Sequence, residues 1–224
     1  MKTRNLLITV IILALLAGVN CNLDAQKSKK EKSPKPKAGT VQLFNGKDLK
    51  NWSFYLRDAS KEPSQVFTVQ NGVIHITGEP FGYMRSKEEY SNYVLHVEWR
   101  YPVELSNSGV FIHAQKPDTI WPRLVECQLK AGSAGDFVCM NGAQMNEQKD
   151  KTVRVVAKKN PSNEKPVGEW NTMEITCREN TIEVVVNGLL QNKATGVNLS
   201  KGNICLQSEG KDVEFRNVYL TRLK

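Results

Sequence analysis

Short runs in which apolar and polar residues alternate, broken by Asn-Gly pairs, restrict this chain to layered antiparallel β structure. Leu95 to Arg100 carries its apolar residues at odd positions and His96, Glu98 and Arg100 at even ones. Gly109 to His113 alternates Val110 and Ile112 with Phe111 and His113, and Leu124 to Lys130 alternates Val125, Cys127 and Leu129 with Glu126, Gln128 and Lys130. Neighbouring side chains on a strand point to opposite faces, so one face of each run joins a core. The other face gathers His, Glu, Gln, Arg and an aromatic, the groups of a polar-ligand site. Asn71-Gly72 and Asn187-Gly188 follow alternating runs, as does Asn45-Gly46 after Val41 to Phe44, and such pairs favour tight hairpins.

The C-terminal third continues the pattern in Thr172 to Cys177, Thr181 to Val186, Asn203 to Gln207 and Val213 to Leu220. No long amphipathic helix is evident, Ser86 to Tyr90 is long enough for one helical turn, and the polar stretch Asn141 to Thr152 reads as a loop over a site. Many short strands with tight turns predict an all-β fold, a two-sheet antiparallel jelly-roll sandwich whose curved outer face offers a groove. No internal repeat points to a propeller.

The start of the chain reads differently. Lys2 and Arg4 precede an apolar run from Leu6 to Val19, the length of a signal-peptide core and too short for a bilayer span. Cleavage after Ala25 gives residues 1–25 as a signal peptide. Gly18-Val19-Asn20-Cys21 competes as a relaxed lipobox that would leave Cys21 lipidated, and a retained anchor is a third reading. Residues 26–39 form a Lys- and Pro-rich tether expected to be disordered, and 40–224 form one β-sandwich domain. Either cleavage exports the protein to the periplasm or outer envelope of a bacterium, with envelope association through the lipid or the basic tether.

The formal net charge of +8 resides mostly in that tether, where Lys27, Lys29, Lys30, Lys32, Lys35 and Lys37 face Glu31 alone. A nucleic-acid-binding domain carries its charge on the fold, so nucleic acid is not an expected partner. Cys127, Cys139, Cys177 and Cys205 have no metal-knuckle spacing. They read as buried thiols, although export permits disulfides, and apolar neighbours argue against a nucleophilic cysteine.

From Leu43 to the end the chain resembles the exported bacterial 3-keto-disaccharide hydrolase-like domain family. The likeness rests on Phe44-Asn45-Gly46-Lys47-Asp48-Leu49 followed by Trp52, the strand Tyr93 to Arg100, and Asn107-Ser108-Gly109-Val110-Phe111. It also rests on Glu126-Cys127-Gln128, Gly168-Glu169-Trp170-Asn171 and Val213-Glu214-Phe215-Arg216-Asn217-Val218. The resemblance implies a concanavalin A-like jelly roll of the lectin/glucanase type acting on sugars oxidised at C3. Many members carry Arg where this chain has His113, so a role for that position does not transfer directly.

A 3-keto group acidifies the C2 hydrogen, and a base that removes it permits elimination at C1, with net hydrolysis when water adds back. Such chemistry needs a base, an acid and donors for the enolate oxygen. His113 is the expected base, because imidazole titrates near pH ~6.5, and Glu126 is the expected acid/base partner. Each also has a structural reading, His113 as a hydrogen-bonded core histidine and Glu126 as the partner of Arg100 or Lys130. Gln128 is expected to hold a sugar hydroxyl, Lys130 and Arg100 an enolate oxygen, and Phe111 a ring face. Asn107 is expected to bind substrate and Asp136 to line the rim, Asp136 also suiting a turn cap. His75 reads as structural. No cofactor is expected, while a divalent cation on His, Glu, Asp and Gln stays open without HxH or HExxH spacing. The chain thus reads as an exported enzyme cleaving 3-keto-glycosides, the alternative being a non-catalytic carbohydrate-binding module.

Overall fold

A computed structural model describes residues 39–224. The expected signal peptide, the alternative lipobox and nearly all of the expected tether lie outside the described residues. The strands form two antiparallel sheets. One contains β1 (Thr40–Gln42), β3 (Phe67–Gln70), β4 (Val73–Ile76), β6 (Tyr93–Arg100), β11 (Asn171–Arg178), β12 (Thr181–Val186), β13 (Leu189–Ala194) and β15 (Val213–Arg222). Its order is β13-β12-β11-β6-β15-β4-β3, with β1 paired to β15. The second contains β2 (Trp52–Leu56), β5 (Gly82–Ser86), β7 (Gly109–Ala114), β8 (Leu124–Gln128), β9 (Phe137–Met140), β10 (Val155–Val156) and β14 (Asn203–Ser208), in the order β10-β9-β8-β7-β14-β5-β2. This is the jelly-roll sandwich that the alternation predicts.

The apolar half of each alternating run fills the space between the sheets. Tyr93, Leu95, Val97 and Trp99 from β6 meet Val110 and Ile112 from β7, Val125 and Cys127 from β8, and Ile204 and Leu206 from β14 in one core. Burying each such side chain contributes about 1.5–3 kcal/mol relative to exposure. A second apolar cluster lies on the outer face of the second sheet: Tyr83, Phe111, Ala114, Leu124, Val138, Met140 and Cys205, with Tyr55 and Trp121 packed on it.

Two Asn-Gly pairs make the hairpins expected of them. Asn71 and Gly72 (φ 52° and 80°) join β3 to β4, and Asn187 and Gly188 (φ 47° and 82°) join β12 to β13. Both residues are left-handed, which matches the twist of a two-residue hairpin. Asn45-Gly46 differs, because its side-chain oxygen accepts the N–H groups of Lys47 (2.8 Å) and Asp48 (2.9 Å). That local bonding builds an Asx turn in the connection to β2 instead of a hairpin. Ser86 to Tyr90 forms no helical turn: Ser86 ends β5 and Tyr90 bridges to Gly202. Cys127, Cys139, Cys177 and Cys205 are buried free thiols, and burial pushes the Cys205 thiol up to about 12.

Candidate functional site

The outer face of the second sheet is assembled by register. Phe111 pairs with Glu126 across β7 and β8 and with Cys205 across β7 and β14, while Gly109 pairs with Gln128. Gln207 pairs with Tyr83, and Tyr83 with Tyr55. Continuing the β7–β14 register past Val110 and Leu206 sets Gln207 beside Gly109, and the isolated bridge between Asn107 and Glu209 extends the same ladder. Glu126, Gln207, Asn107 and Glu209 therefore come from three adjacent strands or their continuations.

Gly109 explains the Asn107-Ser108-Gly109 sequence. A Cβ at this position would lie 2.2 Å from Glu126 Oε1, so only glycine lets the carboxyl lie across β7. Ser108 fixes the neighbouring backbone by donating to the Gln207 carbonyl at 2.8 Å. The Glu126 carboxyl is 2% exposed and its Oε1 has no hydrogen-bond partner among the described residues. Burial, then the nearby charge of Glu209, pushes its pKa up to about 8 against a smaller opposing pull from Arg154. Burial also raises Glu209, while Asn107, Lys130 and Gln207 act to lower it. Gln207 Nε2 donates to Glu209 Oε2 at 2.7 Å. A carboxyl held neutral near physiological pH suits proton transfer in either direction.

His113 does not share this face. Asn203 pairs with Ala114 and Cys205 with Phe111, so Ile112 and His113 together stand opposite Ile204 alone. This is a β-bulge, and His113 takes φ 52° within it. The extra residue interrupts the alternation, so both Ile112 and His113 turn inward and Ala114 returns to the outer face. The His113 ring packs edge-on against Tyr93 of the opposite sheet at 5.8 Å, and its Nδ1 lies 3.1 Å from the Leu199 carbonyl. Burial holds its pKa down to about 4, only partly offset by that hydrogen bond. The imidazole and the Glu126 carboxyl lie on opposite sides of the second sheet.

Arg100 is likewise elsewhere. β6 belongs to the first sheet, and Arg100 lies on its outer face, donating to Glu214 at 2.6 Å and to the Gly168 carbonyl at 3.1 Å. Phe111 is on the expected face but fully buried, edge-on to Tyr83 and Trp121, so its ring has no open face for a sugar. Trp121 belongs to residues 115–123, which Arg85 anchors through Asp118 (2.7 Å) and the Gln115 carbonyl (3.1 Å). Gln128 lies in the correct row, but its Oε1 turns back to accept the N–H groups of Leu129 (3.0 Å) and Lys130 (2.8 Å). Lys130 is exposed beyond β8, where its charge acts on Glu209. Asp136 accepts the Lys158 N–H at 2.8 Å and clamps that segment. Asn107 joins the cluster.

Three contributors escaped the sequence reading: Gln207, Glu209 and Arg154. The odd positions Asn203, Cys205, Gln207 and Glu209 carried the signal for the first two, because they share one face of a run already recognised as a strand. Arg154 had none. Among the described residues no three His, Cys, Asp or Glu side chains group as a metal set, although the side-chain oxygens of Glu126, Glu209, Gln207 and Asn107 are of the kind that hard cations take.

Comparison with solved structures gives the same architecture. A protein from Parabacteroides distasonis ATCC 8503, provisionally assigned as a glycosyl hydrolase, aligns at TM-score 0.63 and 22% identity, covering 83% of this chain and 94% of that one. The carbohydrate-binding module CBM66 of Bacillus subtilis aligns at TM-score 0.56 and 10% identity over 75% and 93% of the two chains. The Bacillus licheniformis β-glucanase aligns at 0.53 and 12% over 84% and 100%. No curated protein matches by sequence. The family model for the 3-keto-alpha-glucoside-1,2-lyase-like domain matches residues 39–221, nearly the whole of the sandwich, and the chain belongs to that family.

Proposed function

We propose that this protein is an exported enzyme that cleaves 3-keto-glycosides by elimination, with net hydrolysis when water adds back. The observation that carries the reading is the buried, unpartnered Glu126 carboxyl on an outer sheet face. As carboxylate, Glu126 takes the proton from C2, and the C2–H electrons form the enolate with the C3 oxygen. The enolate then re-forms the C3 carbonyl, a C1=C2 double bond forms, and the C1–O bond breaks. The departing alkoxide takes the same proton from Glu126, so one residue serves as base and acid and no proton is gained or lost. Lys130 and Arg154 supply positive charge for the enolate oxygen, an interaction that strengthens when water is excluded.

Incubation with p-nitrophenyl 3-keto-glucoside tests the reading. Release of p-nitrophenol is expected, with deuterium entering C2 of recovered substrate in D2O. Binding of the glycoside without release would instead assign the chain to a carbohydrate-binding module.

A further inference from the structure

We infer that Glu209 is a positioning residue: it holds the side-chain amide of Gln207 with its oxygen turned away, forming with the Asn107 side-chain oxygen, beside Glu126, an acceptor subsite for sugar hydroxyls. The inference rests on the reading of the chain as carbohydrate-active. Gln207 Nε2 donates to Glu209 Oε2 at 2.7 Å. Reversing that amide would set a carbonyl oxygen against a carboxylate, so the charge on Glu209 fixes the rotamer. The consequence is visible at the far end of the amide. Gln207 Oε1 and Asn107 Oδ1 are buried without a hydrogen-bond partner, as is Glu126 Oε1, and Gln207 is 1% exposed.

These acceptors lie around Gly109, and the Glu126 carboxyl occupies the space that a side chain there would fill. Buried polar atoms are normally paired, and two unpaired amide oxygens await a ligand that brings donors. Arg154 acts on Glu126 and Lys130 on Glu209, so each carboxylate already has a cation nearby. The shortage is of protons to share more than of positive charge, and neighbouring hydroxyls supply them. A keto oxygen has no proton to donate.

The experiment compares p-nitrophenyl 3-keto-glucoside with its 4-deoxy and 6-deoxy counterparts. Wild type is expected to favour the hydroxylated substrate over at least one deoxy analogue by ~100-fold in kcat/KM, since a site built for a hydroxyl rejects the analogue lacking it. In Glu209→Gln the Gln207 amide is free to reverse, and that ratio is expected to fall below ~10, mostly through KM for the hydroxylated substrate. A merely structural role would lower both rates together and leave the ratio intact, which would overturn the inference. If Glu209→Gln does not fold, Gln207→Met, which keeps the volume and removes the acceptor, is expected to lose the same discrimination. Equal rates for all three substrates in wild type would sink the subsite while leaving the proposed function standing. Loss of discrimination on chelation, restored by Ca2+ or Mn2+, would replace the hydroxyl subsite with a cation site. Should wild type release no p-nitrophenol, the proposed function fails. Calorimetric binding of the same three glycosides then decides the subsite alone, equal affinities refuting it.

Discussion

Both outer faces of this sandwich carry ionisable residues at alternate positions, yet they are built in opposite ways. On the first sheet, Arg100 meets Glu214 and Arg216 meets Glu98, each at 2.6 Å. Both guanidinium groups lie over the Trp170 ring, at 4.7 and 4.2 Å. Asn217 adds a hydrogen bond to Glu98, and His96 lies 3.6 Å from Glu98 and 3.7 Å from Glu174 while stacking on Tyr219. On the second sheet, Glu126 has no such arginine contact, and Glu126 Oε1, Gln207 Oε1 and Asn107 Oδ1 are buried without a partner. Alternation of polar residues marks an outer face; the state of their hydrogen bonding separates a largely ion-paired face from one with orphaned acceptors. The first face pairs Glu98 and Glu214 with arginines, although its buried His96 Nδ1 has no hydrogen bond, whereas the second leaves the Glu126 carboxyl itself unpaired, which a folded chain ordinarily avoids.

The sharpest way to break this contrast is activity. Glu126→Gln is expected to lower kcat/KM on a 3-keto-glycoside by at least ~100-fold, as loss of an acid/base does. Arg100→Ala, on the opposite face, is expected to stay within about twofold, because it removes a contact with no link to turnover. Comparable losses in the two variants would show that the faces had been assigned wrongly. In wild type, kcat/KM is expected to rise with pH through about 8 as Glu126 becomes the carboxylate base. A flat profile there would count against its role.

Stability against pH provides the next test, because the two glutamates have opposite signs. Glu126 rises from 4.5 to about 8 on folding, so between those values the folded state binds a proton that the unfolded chain releases. Its stabilisation of the fold is therefore lost as pH increases through that window. The neutral isostere Glu126→Gln is expected to be more stable than wild type at pH 9 by on the order of 2–4 kcal/mol, and equal to it near pH 4. Thermal melts at the two pH values measure this.

Glu98 behaves in reverse. Burial pushes it up, but His96, Asn217 and Arg216 together outweigh burial and hold it at about 2. Its contribution is present above the ordinary carboxylate range and lost as pH falls toward about 2. Glu98→Gln is expected to destabilise the protein at pH 7 by about 1–2 kcal/mol, an effect that fades in acid. If both variants shift stability in the same direction at high pH, the distinction between paired and unpaired faces fails.

Sequence periodicity carried the fold well because each strand's inward residues must match a core, and a one-residue slip would expose them all. It carried the site less well, for reasons visible at single residues. Arg100 and Glu126 have equivalent patterns, and only strand order reveals that β6 and β8 lie in different sheets. Gln207 and Glu209 were legible as one face of β14 and its continuation, but their value depends on a neighbour, Gly109, that belongs to another strand. His113 failed because strict alternation was carried through a bulge. Nothing in Phe111-Ile112-His113-Ala114 announces the extra residue, which is set by pairing with the distant Ile204.

His113 offers the finest test, because here the expected effect on turnover is smallest. Its Nδ1–H serves the Leu199 carbonyl while Nε2 stays unpartnered inside the core. The neutral ring is required for burial, and its pKa near 4 means that stability is complete above the ordinary histidine range and declines as pH falls from 6.5 toward 4. His113→Asn keeps a residue that tolerates left-handed backbone and removes the titrating ring. Its melting temperature is expected to depend less on pH between 6.5 and 4 than that of wild type, with kcat/KM changed by less than about threefold. A loss near ~100-fold, comparable with Glu126→Gln, would return the imidazole to proton transfer. It would then require the bulge to open and carry the ring through the sheet, a movement that the close packing of His113 against Tyr93 opposes.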